Sequence, residues 1–257
     1  MTTSFHFDIR PQPDNTTCGP TCLHAVYRYY GDPADLSRII AEVPTIAGGG
    51  TLSVFLASHA LRRGYRATII PYNLQFFDPT WAVLPPAEIV ARLRRQGDVK
   101  QGPPGFGHVT DAYLEYLGLG GRLRFDVLTA NLVRGYLKRG IPIMTGLSAT
   151  YLYSTAREYD VDGQVVYDDV RGESVGHFVV LAGYNRETRR ALVADPLLPN
   201  PMATGQHYAV GIDRLVCAIL LGILTYDGDL LIIQPDRRKK KRRQEWFRSL
   251  TSKDDRP

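Results

Sequence analysis

A glutamine, a cysteine, a histidine and an aspartate occur in that order at Gln12, Cys18, His177 and Asp195, and each sits in a setting that suits one step of acyl transfer. Gln12 and Cys18 share the segment QPDNTTCGPTCL, in which Cys18-Gly19-Pro20 opens an apolar helical stretch. His177 lies in GHFVVLAGY and Asp195 in VADP, both strand-like. A thiolate attacks a carbonyl far better than a thiol does, and a helix N-terminus beside an imidazolium favours the thiolate by field and charge. Cys18 is placed to use both. His177 suits proton return to a leaving amine, and Asp195 suits the other ring nitrogen, fixing its orientation and tautomer. A tetrahedral oxyanion needs donors already in place, and the Gln12 carboxamide and the Cys18 N–H are the candidates.

The segments Gln12 to Leu23, Gly176 to Tyr184 and Ala194 to Pro196 resemble those of the bacteriocin-processing cysteine peptidases, papain-like enzymes that cut leader peptides after paired glycines. The resemblance implies an α+β, papain-like cysteine peptidase fold, with an N-terminal nucleophile helix packed on an antiparallel sheet that carries histidine and aspartate. It also implies a Cys18, His177 and Asp195 triad, with Gln12 in the oxyanion hole. Where that family often has an aspartate before the nucleophile, this chain has Thr17. The Cys18 to His177 interval, 177 − 18 = 159 residues, is longer than in the leader peptidases, and the chain has no room for the transporter fused to their best-known members. The machinery carries over; the double-glycine substrate does not. The expectation is a stand-alone, divergent thiol hydrolase that cleaves a peptide or amide through an acyl-enzyme. Acyl or aminoacyl transfer through the same thioester and a non-catalytic peptide-binding module are the alternatives.

The elements that must position these residues can be read from periodicity. Pro20 to Tyr30 predicts the nucleophile helix, stopped by Gly31, and Asp32-Pro33 predicts the cap of a second helix to about Ala41. Thr51 to Arg62 predicts a third helix and Arg66 to Pro71 a strand. Residues 73–121 are rich in proline and glycine and read as an irregular insertion, with a short helix at Pro86 to Arg95, and as a candidate surface for substrate recognition. Its His108 is the one histidine there with a conceivable role. Thr129 predicts a cap for a helix to Arg139. Ile141 to Leu147 reads as an edge strand because Pro142 and Gly146 interrupt it. Gln164 to Tyr167, His177 to Tyr184 and Ala191 to Ala194 read as successive antiparallel strands. The last two, joined at Asn185 to Thr188, would bring His177 and Asp195 to one end of the sheet. Asp213 to Leu224 reads as a helix, and Asp229 to Ile233 as a closing strand after an Asp227-Gly228 turn.

With 257 residues, 44% hydrophobic and 22% charged, the chain can bury one substantial core, expected over 1–236. No secretory signal opens it, and the strongest apolar run, Leu215 to Leu224, falls short of the roughly 20 residues a membrane-spanning helix needs. The reading is cytoplasmic, and three cysteines, an odd number, suit reduced thiols rather than a disulfide framework. Cys22 and Cys217 read as structural. A zinc site on Cys18, Cys22 and His24 fails because no CxxC or HxxxH pair completes it, and no cofactor is called for. The net charge of +5 is local: RRKKKRR at Arg237 to Arg243 holds seven positive charges, leaving 24 basic against 26 acidic residues elsewhere. Residues 237–257 read as a solvated tail, with contact to an acidic partner, nucleic acid or an anionic membrane surface as the alternative use of that run.

Overall fold

GHFVVLAGY carries apolar side chains at every second position on both of its faces, the pattern of a strand covered on both sides. The computed structural model, which describes residues 2–46, 49–102, 105–161, 164–225 and 228–236, puts this strand at the centre of the packing. In chain order the elements are β1 (Thr2–Ser4), α1 (Cys18–Tyr29), α2 (Leu36–Glu42), α3 (Ser53–Arg62), β2 (Tyr65–Pro71), α4 (Pro86–Val99), α5 (Phe106–Gly118) and β3 (Arg122–Leu123). There follow α6 (Ala130–Leu137), β4 (Ile143–Ser148), α7 (Ala149–Tyr153), β5 (Glu158–Val161), β6 (Gln164–Tyr167), β7 (Gly176–Asn185), β8 (Arg190–Ala194), β9 (His207–Gly211), α8 (Ile212–Leu221) and β10 (Asp229–Pro235).

The main sheet runs β3-β2-β10-β4-β7-β8-β9, with β1 added to the far end of β7. Its pairings are antiparallel except β2 with β3. Two apolar cores flank it. Phe178, Val180 and Ala182 of β7, with Leu231 and Ile233 of β10, face the core that also holds Leu23, Leu56 and Tyr116. Val179 and Leu181, with Leu230 and Ile232, face the core that holds Leu137, Leu152 and Leu215. The architecture is mixed α+β, with α1 lying on β7, as the sequence implied.

Several expectations are corrected. The strand after Pro142 is interior, lying between β10 and β7 over its paired length; Pro142 precedes Ile143 and so removes no ladder donor. Asp35, not Asp32, caps α2, its carboxylate accepting from Ser37 N at 2.8 Å, while Asp32 accepts from Arg63 Nε at 2.7 Å. Gln164–Tyr167 pairs only with Glu158–Val161, in a separate two-stranded arm. Cys217 is exposed and not part of the core. The 73–121 region is no irregular excursion: α5 packs on α3 and α4 on α5, and the region buries Phe76, Phe77, Phe106, Tyr113 and Tyr116. The short helix expected at Pro86 to Arg95 is there as α4 and runs on to Val99, with its proline in the first turn where a missing N–H costs nothing; α5 is the helix that the sequence reading missed. Asp227 of the predicted turn, Pro103, Pro104 and the whole 237–257 tail lie outside the described residues.

Among the described residues, no helix is long and apolar enough to cross a membrane.

Candidate active site

The first turn of α1 presents Cys18. Asp14 shapes the approach: its carboxylate accepts from Thr16 N at 2.8 Å and from the Thr16 hydroxyl at 2.7 Å, folding the chain into a turn just ahead of the helix. Gly19 lets α1 come close to its neighbours, since a Cβ there would stand 2.5 Å from Thr51 Cγ2 and 3.3 Å from the Phe178 ring. Thr51 cannot simply swing aside, because its hydroxyl donates to Pro44 O at 2.8 Å. Pro20 fits the helix start without losing a needed donor. The Cys-Gly-Pro spelling is therefore steric as much as chemical.

His177 opens β7 and Asp195 immediately follows β8. The register pairs Val180 with Ala194, so Asp195 falls across from Val179, on the face that His177 shares two residues along. The ring Nε2 of His177 lies 2.8 Å from Asp195 Oδ1. The Cys18 thiol hydrogen-bonds to the same ring. With Nε2 committed to the aspartate, Nδ1 is the nitrogen left for sulfur. All three residues are buried, Asp195 completely.

Their protonation balance follows from the grouping. Burial pushes the Cys18 thiol up, but the His177 charge, the ring hydrogen bond and backbone donors at Phe178 and Gly19 outweigh it, and its pKa lies below that of an ordinary cysteine. Burial would hold His177 neutral; Asp195 and Cys18 instead raise it to about 10. Asp195, despite its burial, is drawn down to about 2 by the His177 charge and by hydrogen bonds from His177, Leu197 and Tyr208. Each group is thus shifted toward its charged form, thiolate, imidazolium and carboxylate, relative to the isolated side chain.

Sequence reasoning missed the groups that hold the aspartate. Oδ1 also accepts from Leu197 N at 2.9 Å, and Oδ2 accepts from Tyr153 Oη at 2.8 Å and Tyr208 Oη at 2.7 Å. A buried carboxylate needs such donors, but nothing local marks Tyr153 or Tyr208 among 15 tyrosines. Glu158 of β5 was also missed: burial raises its pKa while the His177 charge lowers it, which puts it within the field of the ring.

Gln12 is brought to this end of the sheet by its backbone, whose N–H donates to Pro196 O at 2.9 Å. Its Nε2 donates to Asp14 O at 2.8 Å, and its Oε1 is buried without a partner. One N–H of the carboxamide is thus engaged with the turn and the other is left to donate. Cys22 lies one turn beneath Cys18, wholly buried, its thiol donating to Phe178 O at 3.3 Å. Burial, then the nearby Cys18 and Asp195 charges, raise its pKa well above the ordinary value, so it is an inert core thiol. His108 is exposed on α5, beside Phe55.

No family model matches the sequence, and no curated protein is similar to it. Among solved structures, the chain is similar to the peptidase domain of Streptococcus ComA, a bi-functional ABC transporter involved in a quorum-sensing pathway, at 12% identity and a TM-score of 0.41, over 90% of this chain and 100% of that one. It is similar to a C39-like peptidase from Bacillus anthracis at 12% identity and a TM-score of 0.46, over 91% and 97% of the two chains. A third is xylellain, a cysteine protease from Xylella fastidiosa, at 12% identity and a TM-score of 0.41, over 92% and 86%.

Proposed function

We propose that the protein is a cysteine peptidase or amide hydrolase in which Cys18 attacks a peptide carbonyl, with His177 and Asp195 completing the triad. The observation that carries this reading is the buried chain from Cys18 through the His177 ring to Asp195, with the thiol pKa lowered and the imidazole raised. In the first step the Cys18 thiolate adds to the carbonyl carbon and the oxyanion takes hydrogen bonds from the Cys18 N–H and the free N–H of Gln12 Nε2. Collapse of the tetrahedral species expels the amine, which takes the proton from His177 Nδ1, and leaves a thioester on Cys18. Water, losing a proton to the now neutral ring, then hydrolyses the thioester and releases the acid.

The test is labelling with an electrophilic thiol probe, read by intact mass on wild type, Cys18→Ala and His177→Ala. Wild type takes one rapid label, Cys18→Ala takes none at that rate, and His177→Ala is slowed. Rapid labelling that persists in Cys18→Ala, or an unchanged rate in His177→Ala, sinks the assignment. The exposed Cys217 labels slowly in all three and serves as an internal reference.

A further inference from the structure

Behind α7, on the His177 side of the site, lies a cleft of about 520 Å³ bordered by Ser148, Ser174, Arg157, Arg214, Leu221 and Leu224. No carboxylate lines it. Neither guanidinium has an acidic partner among the described residues: Arg214 reaches Tyr151 O at 3.2 Å and the Ser154 hydroxyl, and Arg157 reaches the carbonyls of Asp169 and Val170. Arg214 Nε is buried with no hydrogen-bond partner at all. A buried guanidinium N–H left unmet is costly, and an oxoanion is its natural acceptor. Around it stand hydroxyls, with Ser148 Oγ 3.1 Å from Ser174 Oγ. Leu224, 68% exposed, offers an apolar flank beside them.

The cleft is joined to the triad by two pieces of chain. Ser148 pairs with Gly176, the residue before His177, and Ser174 is three residues before His177, about 10 Å along an extended chain. The other is α7, which borders the cleft with Tyr151 and ends at Tyr153, a donor to Asp195. A leaving amine must depart toward the imidazolium that protonates it, so the portion of substrate C-terminal to the cut runs past His177 and toward this cleft.

Resting on the hydrolase reading above, we propose that the Arg214 and Arg157 cleft is a leaving-group subsite that binds a carboxylate, placed about three residues C-terminal to the scissile amide. The carboxylate is an Asp or Glu side chain or the free C-terminus of the peptide. It accepts from Arg214, with Arg157 adding charge at the mouth, while apolar neighbours on the substrate lie along Leu221 and Leu224. Glu158, the nearby acid of β5, is not part of the lining and sits within the field of His177, so it does not occupy the subsite itself.

The test has two arms on the full-length protein. In the first, 4-methylpentanoate, its neutral analogue 4-methylpentanamide and inorganic phosphate are titrated into wild type, Arg214→Gln, Arg157→Gln and Arg214→Lys, with binding followed by NMR and folding by thermal melts. The acid binds at least tenfold tighter than the amide, Arg214→Gln removes that preference, Arg157→Gln weakens it, and Arg214→Lys retains part of it. Equal binding of acid and amide, phosphate preferred over the acid, or indifference to both arginine changes overturns the proposal whatever the catalytic outcome. In the second arm a peptide mixture from a digested proteome is sequenced before and after incubation, with free and amidated C-termini compared. Wild-type cuts are enriched for a carboxylate near the third residue after the cut, and the enrichment disappears in Arg214→Gln. Cuts indifferent to such a carboxylate overturn the subsite while leaving the hydrolase reading intact. Absence of any cut, together with an unreactive Cys18, overturns both, and the labelling result tells the two failures apart.

Discussion

The backbone N–H of Gln12 donates to the carbonyl of Pro196 at 2.9 Å, which ties the segment entering α1 to the residue directly after Asp195. The candidate oxyanion donor and the candidate orienting carboxylate are thereby held in one frame by main chain, and replacing the Gln12 side chain leaves this tie in place. Gln12→Ala is therefore expected to keep the fold and the rate of Cys18 alkylation, which forms no oxyanion, while lowering peptide turnover by about 10²- to 10³-fold. Equal losses in alkylation and turnover would mean that Gln12 shapes the Asp14 turn and does not assist the chemistry.

Tyr153 and Tyr208 are the only side-chain donors shown to Asp195 Oδ2 among the described residues. Tyr208→Phe removes a buried hydrogen bond to a charged acceptor and is expected to cost about 1.5–3 kcal/mol in urea unfolding, and the double Phe variant more than the sum, because the second removal strands the oxygen. Simple additivity within about 0.5 kcal/mol would show that water takes the vacated place.

The pH dependence of Cys18 alkylation follows from the paired shifts. The reactive thiolate and imidazolium coexist between the lowered Cys18 value and the His177 value near 10, so the rate should rise at a lower pH than that of an ordinary cysteine and change again only near pH 10. Asp195→Asn removes the main support for the raised imidazole and should bring the upper limb down. A single ordinary thiol titration near pH 9 in wild type contradicts the pairing.

Asp229 behaves in the opposite sense to Asp195. Burial raises its pKa from 3.8 to about 7, against the hydrogen bond from Ser53 Oγ at 2.6 Å, which lowers it. A raised folded-state value means that its stabilising share is complete below about pH 3.8 and disappears as pH rises through 7. Asp195, drawn down to about 2, adds stability above its ordinary 3.8 and loses it on acidification toward 2. Asp229→Asn is expected to melt higher than wild type at pH 8, with the gap shrinking at pH 5. A gap that does not change with pH rules out titration of Asp229 as the cause.

Gly19→Ala should destabilise by about 1–3 kcal/mol, since the new methyl must displace a Thr51 that is held by its bond to Pro44. Urea unfolding measures this, and slower Cys18 labelling should accompany it as α1 is pushed from Phe178. A neutral substitution would show that Thr51 yields freely.

The candidate site residues were legible because each carries its own local context: a helix start for Cys18, a strand start for His177, a strand end for Asp195. The β7–β8 hairpin was equally legible, since a turn whose Asn185 carboxamide accepts from Glu187 N and Thr188 N is spelled in the sequence. What escaped was set by distant partners. Nothing near Pro142 reveals that β10, some 85 residues later, will lie beside β4 and turn an apparent edge into an interior strand. α5 was obscured because its start at Phe106 sits in QGPPGFG, a run that reads as a loop. Tyr153 and Tyr208 are identified only by the carboxylate they reach.

The order of the main sheet also bears on when the fold can be completed. β10 comes after both β2 and β4 in the chain, yet it lies between them, with β2 carrying β3 and the α3 side and β4 leading to β7, which His177 opens, and β8, which Asp195 follows. Synthesis runs from the N-terminus, so a growing chain exposes Cys18 long before the central strand that joins the two halves has emerged. The segment that carries Cys18 is therefore made long before residues 229–235, and the sheet that frames the candidate triad closes only when they arrive.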